Sequence, residues 1–290
     1  MRYVVGYTPN ERGADALALA AVIARTQGAT LDLVYVVNEA TPYVALNPDG
    51  NRVDASEQRV LTARRSALKL VPAGVTAEFH VREAESFAAG LIEAAVEYGA
   101  GLIVVGAAGN GLFKRFTVGS VANSLLHASP VPVALAPRGY GRTEPLTRLT
   151  LTVGTREGAG AAINVAVSSA RRRNLPLRLV SLVELDELRQ QDFDLDSALS
   201  PARRHVNSVL TEAAARLPEG STTLTLAHGR SIEEAVDSLG WEDGELVIVG
   251  SSRLAQHRKL FLGSTANKVL RALPVPMVVV PRDYERIDSV

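Results

Sequence analysis

The chain has 290 residues, a length that suggests two domains of ~145 residues each. Lys+Arg and Asp+Glu both total 31, so there is no basic surplus of the kind a nucleic-acid surface needs, and the absence of cysteine excludes disulfides, thiol chemistry and thiolate metal sites. No apolar stretch approaches the ~18–20 residues of a membrane span, and MRYVVGYT enters a strand-like run with no signal-peptide pattern, so the expected location is the cytoplasm.

Tyr3–Tyr7 is a short apolar run and reads as the first strand. After a polar turn, Ala14–Thr26 carries Leu17, Ala20, Ala21 and Ala24 at helical spacing, and Gly28 stands where helices end. Leu31–Val37 is a second strand, and Asn38–Ala55, with Pro42, Pro48 and Gly50, is a long loop. A helix over Ser56–Leu70, a strand over Ala77–Val81 and a helix over Ser86–Tyr98 with Ser86 as its cap follow. The first half closes with a fourth strand at Leu102–Val105, a helix at Ser120–Ala128 and a fifth strand at Val131–Ala136.

The second half repeats this order. Its strands are expected at Leu149–Val153, Leu177–Val183, Thr222–Ala227, Leu246–Val249 and Val275–Val280. Helices are expected at Ala161–Arg172, Pro201–Arg216, Ser231–Leu239 and Ser264–Ala272. The acidic stretch Glu184–Asp196 reads as a solvated loop, because it lacks the D-x-[DN]-x-[DN]-G order of a calcium loop. The tail after Pro281 is polar and expected to fray. Strands alternating with helices, the strands apolar throughout, indicate an α/β fold of two tandem doubly wound domains whose parallel sheets are covered on both faces. The expected boundaries are 1–139 for the first domain, 140–148 for a linker and 149–290 for the second.

One block occurs twice without a gap: Gly106–Pro137 and Gly250–Pro281. Each follows an apolar run, and each ends in Pro-Val-Pro before a last strand. In the first copy Gly106 lies just after the fourth strand, Gly109 follows, and Gly119-Ser120 lead into the fourth helix. In a doubly wound sheet, ligands bind at such carboxyl ends. Glycines let backbone approach a ligand closely, and unsatisfied amides at a helix N-terminus hold phosphate. Ser120 offers a hydroxyl, and Lys114 and Arg115 add positive charge between the glycines. Tight turns alone would also use these glycines. No G-x-x-x-x-G-K-[ST], no G-x-G-x-x-G after a first strand and no G-x-S-x-G occurs.

The pattern G-x2-G-x9-G-[ST] between an apolar strand and a helix, followed by Pro-Val-Pro and a final strand, resembles the universal stress protein family over nearly the whole chain. The resemblance implies a five-stranded parallel sheet of order 3-2-1-4-5 in each domain. It implies binding of ATP or another adenine nucleotide, and pairing of two domains through their fifth strands, here Val133-Ala134-Leu135 with Val278-Val279-Val280. A single chain would then form an intramolecular pseudo-dimer, and a further homodimer of chains is compatible with it. The implied role is regulatory, in stress, dormancy or starvation, through protein partners the sequence does not identify. Gly106, Gly109, Gly119 and Ser120 match the phosphate and ribose positions, Val121 offers an amide, and Val36 matches the position lining adenine. Where the family often has Asp after the first strand, Thr8 stands here and gives a weaker contact than a carboxylate. The second copy keeps Gly250, Gly263 and Ser264 but has Arg253 in place of the second glycine. Arg253 would obstruct close approach or grip a phosphate; the steric argument favours a weak second site.

No residue is assigned as catalytic and none as a metal ligand. His80, His127, His205, His228 and His257 show no metal-ligand spacing and read as surface or helix-end residues. Ser66, Ser197 and Ser200 have no base partner visible in the sequence. Arg171-Arg172-Arg173 end a helix, where cations suit the dipole. Fast ATP hydrolysis is not expected; slow hydrolysis is compatible with the residues, and Mg2+ would accompany the phosphates without a protein cage. The alternative function is a nucleotide-independent scaffold acting through Asn38–Ala55 and Glu184–Ser200. A third, an enzyme for adenylated substrates, rests on fold analogy alone.

Overall fold

The structure, a computed structural model, describes residues 1–37, 55–107, 119–153, 160–185, 195–251, 260–282 and 284–285. The first half runs β1 (Arg2–Gly6), α1 (Glu11–Arg25), β2 (Thr30–Val37), α2 (Ala55–Leu70), β3 (Ala77–Glu83), α3 (Phe87–Glu97), β4 (Ile103–Gly106), α4 (Ser120–Ala128) and β5 (Val133–Ala136). The second runs β6 (Arg148–Val153), α5 (Gly160–Arg173), β7 (Leu177–Glu184), α6 (Leu195–Ala214), β8 (Thr222–Gly229), α7 (Ile232–Asp237), β9 (Glu245–Gly250), α8 (Ser264–Ala272) and β10 (Met277–Val280).

The helix ends follow from local chemistry. Asn10 caps α1 by accepting from the Gly13 amide at 3.2 Å, and Ser86 caps α3 from the Ala89 amide at 3.1 Å. Gly28, at φ 58°, supplies the left-handed residue after α1; Asn174, at φ 51°, takes the same place after α5. The largest shift from the expected boundaries is at α6. The helix was expected to start at Pro201, yet α6 begins at Leu195. The apolar positions 195, 198, 199, 202, 206, 209 and 213 keep helical spacing straight through the proline, and Ala202, Val206, Val209 and Ala213 are buried. The acidic stretch is not a loop at either end, and residues 186–194 lie outside the described residues. Glu184 ends β7 and pairs with Lys268 at 2.9 Å, while Asp196 lies in α6.

Each half has strand order 3-2-1-4-5 with parallel neighbours, and the two halves join into one ten-stranded sheet, β3-β2-β1-β4-β5-β10-β9-β6-β7-β8. The join is the β5–β10 pair, the one antiparallel contact among the paired strands. Its register is Val133 with Val279, Ala134 with Val278 and Leu135 with Met277, one residue earlier on β10 than the sequence suggested. The seam covers two sheet edges that would otherwise expose unpaired backbone. On one face, α1, α2, α5 and α6 close a core around Leu17, Leu33, Leu151 and Val206. On the other, α3, α4, α7 and α8 close a core around Val34, Leu125, Val249 and Leu270. Both cores take residues from both halves. Beyond the last strand Tyr284 also joins in, packing against the first core where fraying was expected.

Candidate functional site

The order of the sheet reverses between β1 and β4, which pair through Val4–Ile103 and Val5–Val104. From there β1 leads to α1 on one face and β4 toward α4 on the other, the arrangement that opens a crevice at the carboxyl ends of strands. Thr8, Gly106 and the start of α4 are brought to this end of the sheet, together with Val36 near the end of β2.

Gly119 caps α4 in an extended conformation, φ −74° and ψ 167°, with no side-chain hydrogen bond to the first turn. Its carbonyl accepts from the Asn123 amide at 2.9 Å. Ser120 is thus the first helical residue and not the cap, and its side chain is exposed. The caps of α1, α3 and α7 each hold a first-turn amide with a side-chain oxygen, so the glycine cap leaves the α4 amides, Val121 included, to other acceptors. Amides directed outward with the positive end of the helix dipole behind them suit a phosphate.

Gly106 has a packing reason for being glycine. A Cβ there would lie 2.2 Å from the Arg12 carbonyl oxygen. A Cβ on Gly13 would lie 2.0 Å from the Thr8 carbonyl oxygen. The close approach is backbone on backbone: the turn from Thr8 into α1 is seated against the end of β4. The Thr8 hydroxyl donates to Asn10 Oδ1 at 2.9 Å, so its proton serves the cap of α1. Val36 leans on α3, where a Cβ on Gly90 would meet its Cγ2 at 2.9 Å, and Val121 packs against the same core. Gly109, Lys114 and Arg115 lie outside the described residues, as does Arg253.

The second copy keeps the helix cap and differs around it. Gly263 caps α8 at φ −69° and ψ 168°, again without a side-chain bond, and Ser264 is exposed. A Cβ on Gly250 would meet, among the described residues, only the Ala162 Cβ at an ordinary 3.4 Å. Ser251, which stands where the first copy has Ala107, holds the segment that leads into α8: its Oγ accepts from the Phe261 amide at 2.8 Å and donates to the Phe261 carbonyl at 3.1 Å. The Leu260 amide then donates to Ser129 at 3.1 Å and the Leu262 amide to Leu126 at 3.2 Å. Those carbonyls belong to the end of α4, so this segment finishes the first half's helix. Phe261 meets His127 edge-on at 5.1 Å.

Two charge clusters, each built on a buried carboxylate, escaped the sequence reading. In the first half, Arg2 holds both oxygens of Asp32, one of them from Nε at 2.8 Å, and reaches Glu78 at 2.7 Å. His80 completes the group at 2.9 Å from Asp32 and lies beside Tyr98, so it is not an ordinary surface histidine. Asp32, Glu78 and His80 have the donor types of a metal site. The bidentate guanidinium occupies the carboxylate at its centre, which makes this an ion-pair network, and these bonds raise the Arg2 pKa further. In the second half the sign inverts. Arg178 stands at the Asp32 place and Glu245, wholly buried, receives it at 2.6 Å and Arg148 at 2.7 Å. Thr150 also donates to Glu245, and the Arg178 guanidinium lies 4.9 Å from the Trp241 ring centre. Burial pushes the Glu245 carboxyl up, but the bonds from Arg148 and Thr150 outweigh it and hold it below the usual range. Ser66 accepts from the Tyr7 hydroxyl at 2.9 Å, a structural bond.

Comparison with known proteins places this architecture. The model of the universal stress protein family matches residues 1–137 and again 147–281. A universal stress protein of Mycobacterium tuberculosis (strain ATCC 25618 / H37Rv) is 30% identical over 303 aligned positions, covering 97% of this chain and 100% of the relative. One from Mycobacterium bovis matches to the same extent. A solved universal stress protein from Archaeoglobus fulgidus DSM 4304 shares the fold, with a TM-score of 0.64 at 17% identity over 97% of this chain and 98% of that one. No helix among the described residues is long and apolar enough to cross a membrane.

Proposed function

The chain belongs to the universal stress protein family, and on that premise we propose that it is a stress-response regulator that binds ATP or a related adenine nucleotide in its first half. The observation that carries the reading is the glycine-capped start of α4 beside the reversal of the sheet. The donor set fits the triphosphate: the Ser120 and Val121 amides, the Ser120 hydroxyl and the helix dipole all favour phosphate oxygens. Mg2+ would ride on the phosphates, with water completing its coordination. The nucleotide acts as a regulatory ligand, and rapid turnover is no part of the reading.

Calorimetric titration of the full chain with ATP and AMP tests this. One site per chain is expected, abolished by Gly119→Val and retained by Gly263→Val. Undetectable binding at millimolar ATP overturns the proposal. A second reading, an interaction scaffold without nucleotide, draws on two observations: Gly106 is accounted for by Arg12, and the Thr8 proton by Asn10. Under it, Gly119→Val changes no binding, while replacement of residues 38–55 and 184–200 removes protein partners.

A further inference from the structure

At the opposite end of β4 from Gly106, a cavity of about 360 Å³ lies at the junction of the two halves. Its floor is the apolar sheet face: Tyr3, Leu149, Ile248 and Val278, all buried or lining the core. Its wall is one side of α5, with Asn164, Ser168 and Ser169 followed by Arg171, Arg172 and Arg173. Arg216, just beyond α6, adds a fourth guanidinium to the rim and bonds Asn164 at 2.8 Å.

The arginines divide by task. Arg173 donates to the Ile23 carbonyl at 3.0 Å and Arg172 to Gln27 at 3.1 Å, so both cross to the C-terminal end of α1 and tie the halves together. Arg171 is exposed on the rim and makes no side-chain hydrogen bond or ion pair among the described residues. The asymmetry between copies is specific to this rim: α1 continues Arg25-Thr26-Gln27 where α5 ends Arg171-Arg172-Arg173. Helix-end chemistry would be satisfied by one cation, as the first copy shows. Of the side chains that line it among the described residues, four carry positive charge and Glu285 alone carries negative.

We infer that this junction groove is a second ligand site, separate from the α4 site, for an amphipathic organic anion: an aliphatic or aryl body lying on the sheet floor and a carboxylate-type head at Arg171 and Arg216. The volume falls within the ~300–1,000 Å³ of small-molecule sites, and such sites favour the contact between domains. The apolar floor supplies the affinity of desolvation, and guanidinium groups suit a planar oxyanion head. A bound ligand would touch Tyr3 of the first half and α5 of the second, so it would report on, and reinforce, their contact.

The test uses the whole chain and 8-anilinonaphthalene-1-sulfonate, an aryl anion whose fluorescence rises on apolar burial. Saturable binding at one site per chain is expected, displaced by decanoate and left in place by decan-1-ol and by inorganic phosphate. Arg171→Glu should weaken binding about tenfold or more through loss of one charge-assisted contact and gain of a like charge. Ser169→Phe, which fills the groove from its wall, should abolish it. Arg204→Glu makes the same charge change on the exposed side of α6 and should leave binding unchanged. Unsaturable binding, or binding indifferent to both Arg171→Glu and Ser169→Phe, overturns the site. Equal displacement by decanol, or displacement by phosphate alone, overturns the amphipathic-anion assignment.

Discussion

Replacing Gly106 by alanine isolates the packing that seats α1 on β4. The added methyl would fall 2.2 Å from the Arg12 carbonyl oxygen and 2.9 Å from the Arg12 Cα and carbonyl carbon. All three are backbone atoms of the first turn of α1, so no side chain can swing aside. Relief requires the turn to retreat by about 1 Å, against the Asn10 cap that fixes it and the buried Leu17 and Ala20 behind it. Overpacking of this kind costs about 1–3 kcal/mol, and at about 2 kcal/mol the first half should melt roughly 6–10 °C lower. The matched change Gly250→Ala meets only Ala162 Cβ at 3.4 Å among the described residues and should cost less than about 0.5 kcal/mol. Calorimetric melting of both variants without nucleotide, with hydrogen exchange at the α1 amides, reads the difference. Equal costs, or unchanged exchange in the first turn of α1, would refute the steric account and return Gly106 to a purely ligand-facing role.

Two further outcomes follow from the buried charges and the seam. Glu245→Gln should destabilise the second half at pH 7 by about 3–5 kcal/mol, because Arg178 remains buried, and Arg148 half-buried, without their counter-charge. The native Glu245 carboxyl titrates below its unfolded value of 4.5, so its contribution is complete above that pH and lost as pH falls through the folded value. Denaturant titrations from pH 7 to pH 3 should therefore fall less steeply for Glu245→Gln than for the parent; parallel curves would sink the assignment. For the seam, a protease site inserted after Gly141 should yield two fragments that co-elute in size exclusion, held by β5–β10, the shared cores and the Leu260 and Leu262 bonds; separate elution would contradict it.

Much of this organisation was legible in the sequence because it rests on local pattern. Apolar runs gave all ten strands, and the duplicated block gave two domains and the start of α4 to the residue. The resemblance supplied strand order and the β5–β10 seam, missing only its register by one residue, which period-two packing and not pattern decides. What stayed hidden depends on contacts between distant segments. The packing demand at Gly106 stayed hidden, since nothing in the sequence places Arg12 beside it. Asp32 and Arg178 sit inside apolar strands where a lone charge is unusual, and that mismatch was the available signal. Their partners lie far along the chain, so the inverted clusters could not be paired by spacing. The arginine run was read correctly as a helix end, while its reach to Ile23 and Gln27 needed the two halves in place.

The antiparallel seam joins strands of one polypeptide, and this changes how the pairing answers to abundance. Two separate single-domain chains associate only when their concentration exceeds their dissociation constant, and they exchange partners. A tether replaces that requirement with a local concentration in the millimolar range, which dilution does not alter. The pair is therefore as complete at a few copies per cell as at thousands. Each assembly also holds one half of each kind, so the open helix start of α4 always has the Leu260–Leu262 clasp of the other half at its far end. The halves have been free to specialise, down to buried charges of opposite sign, without ever meeting a copy of themselves across this seam.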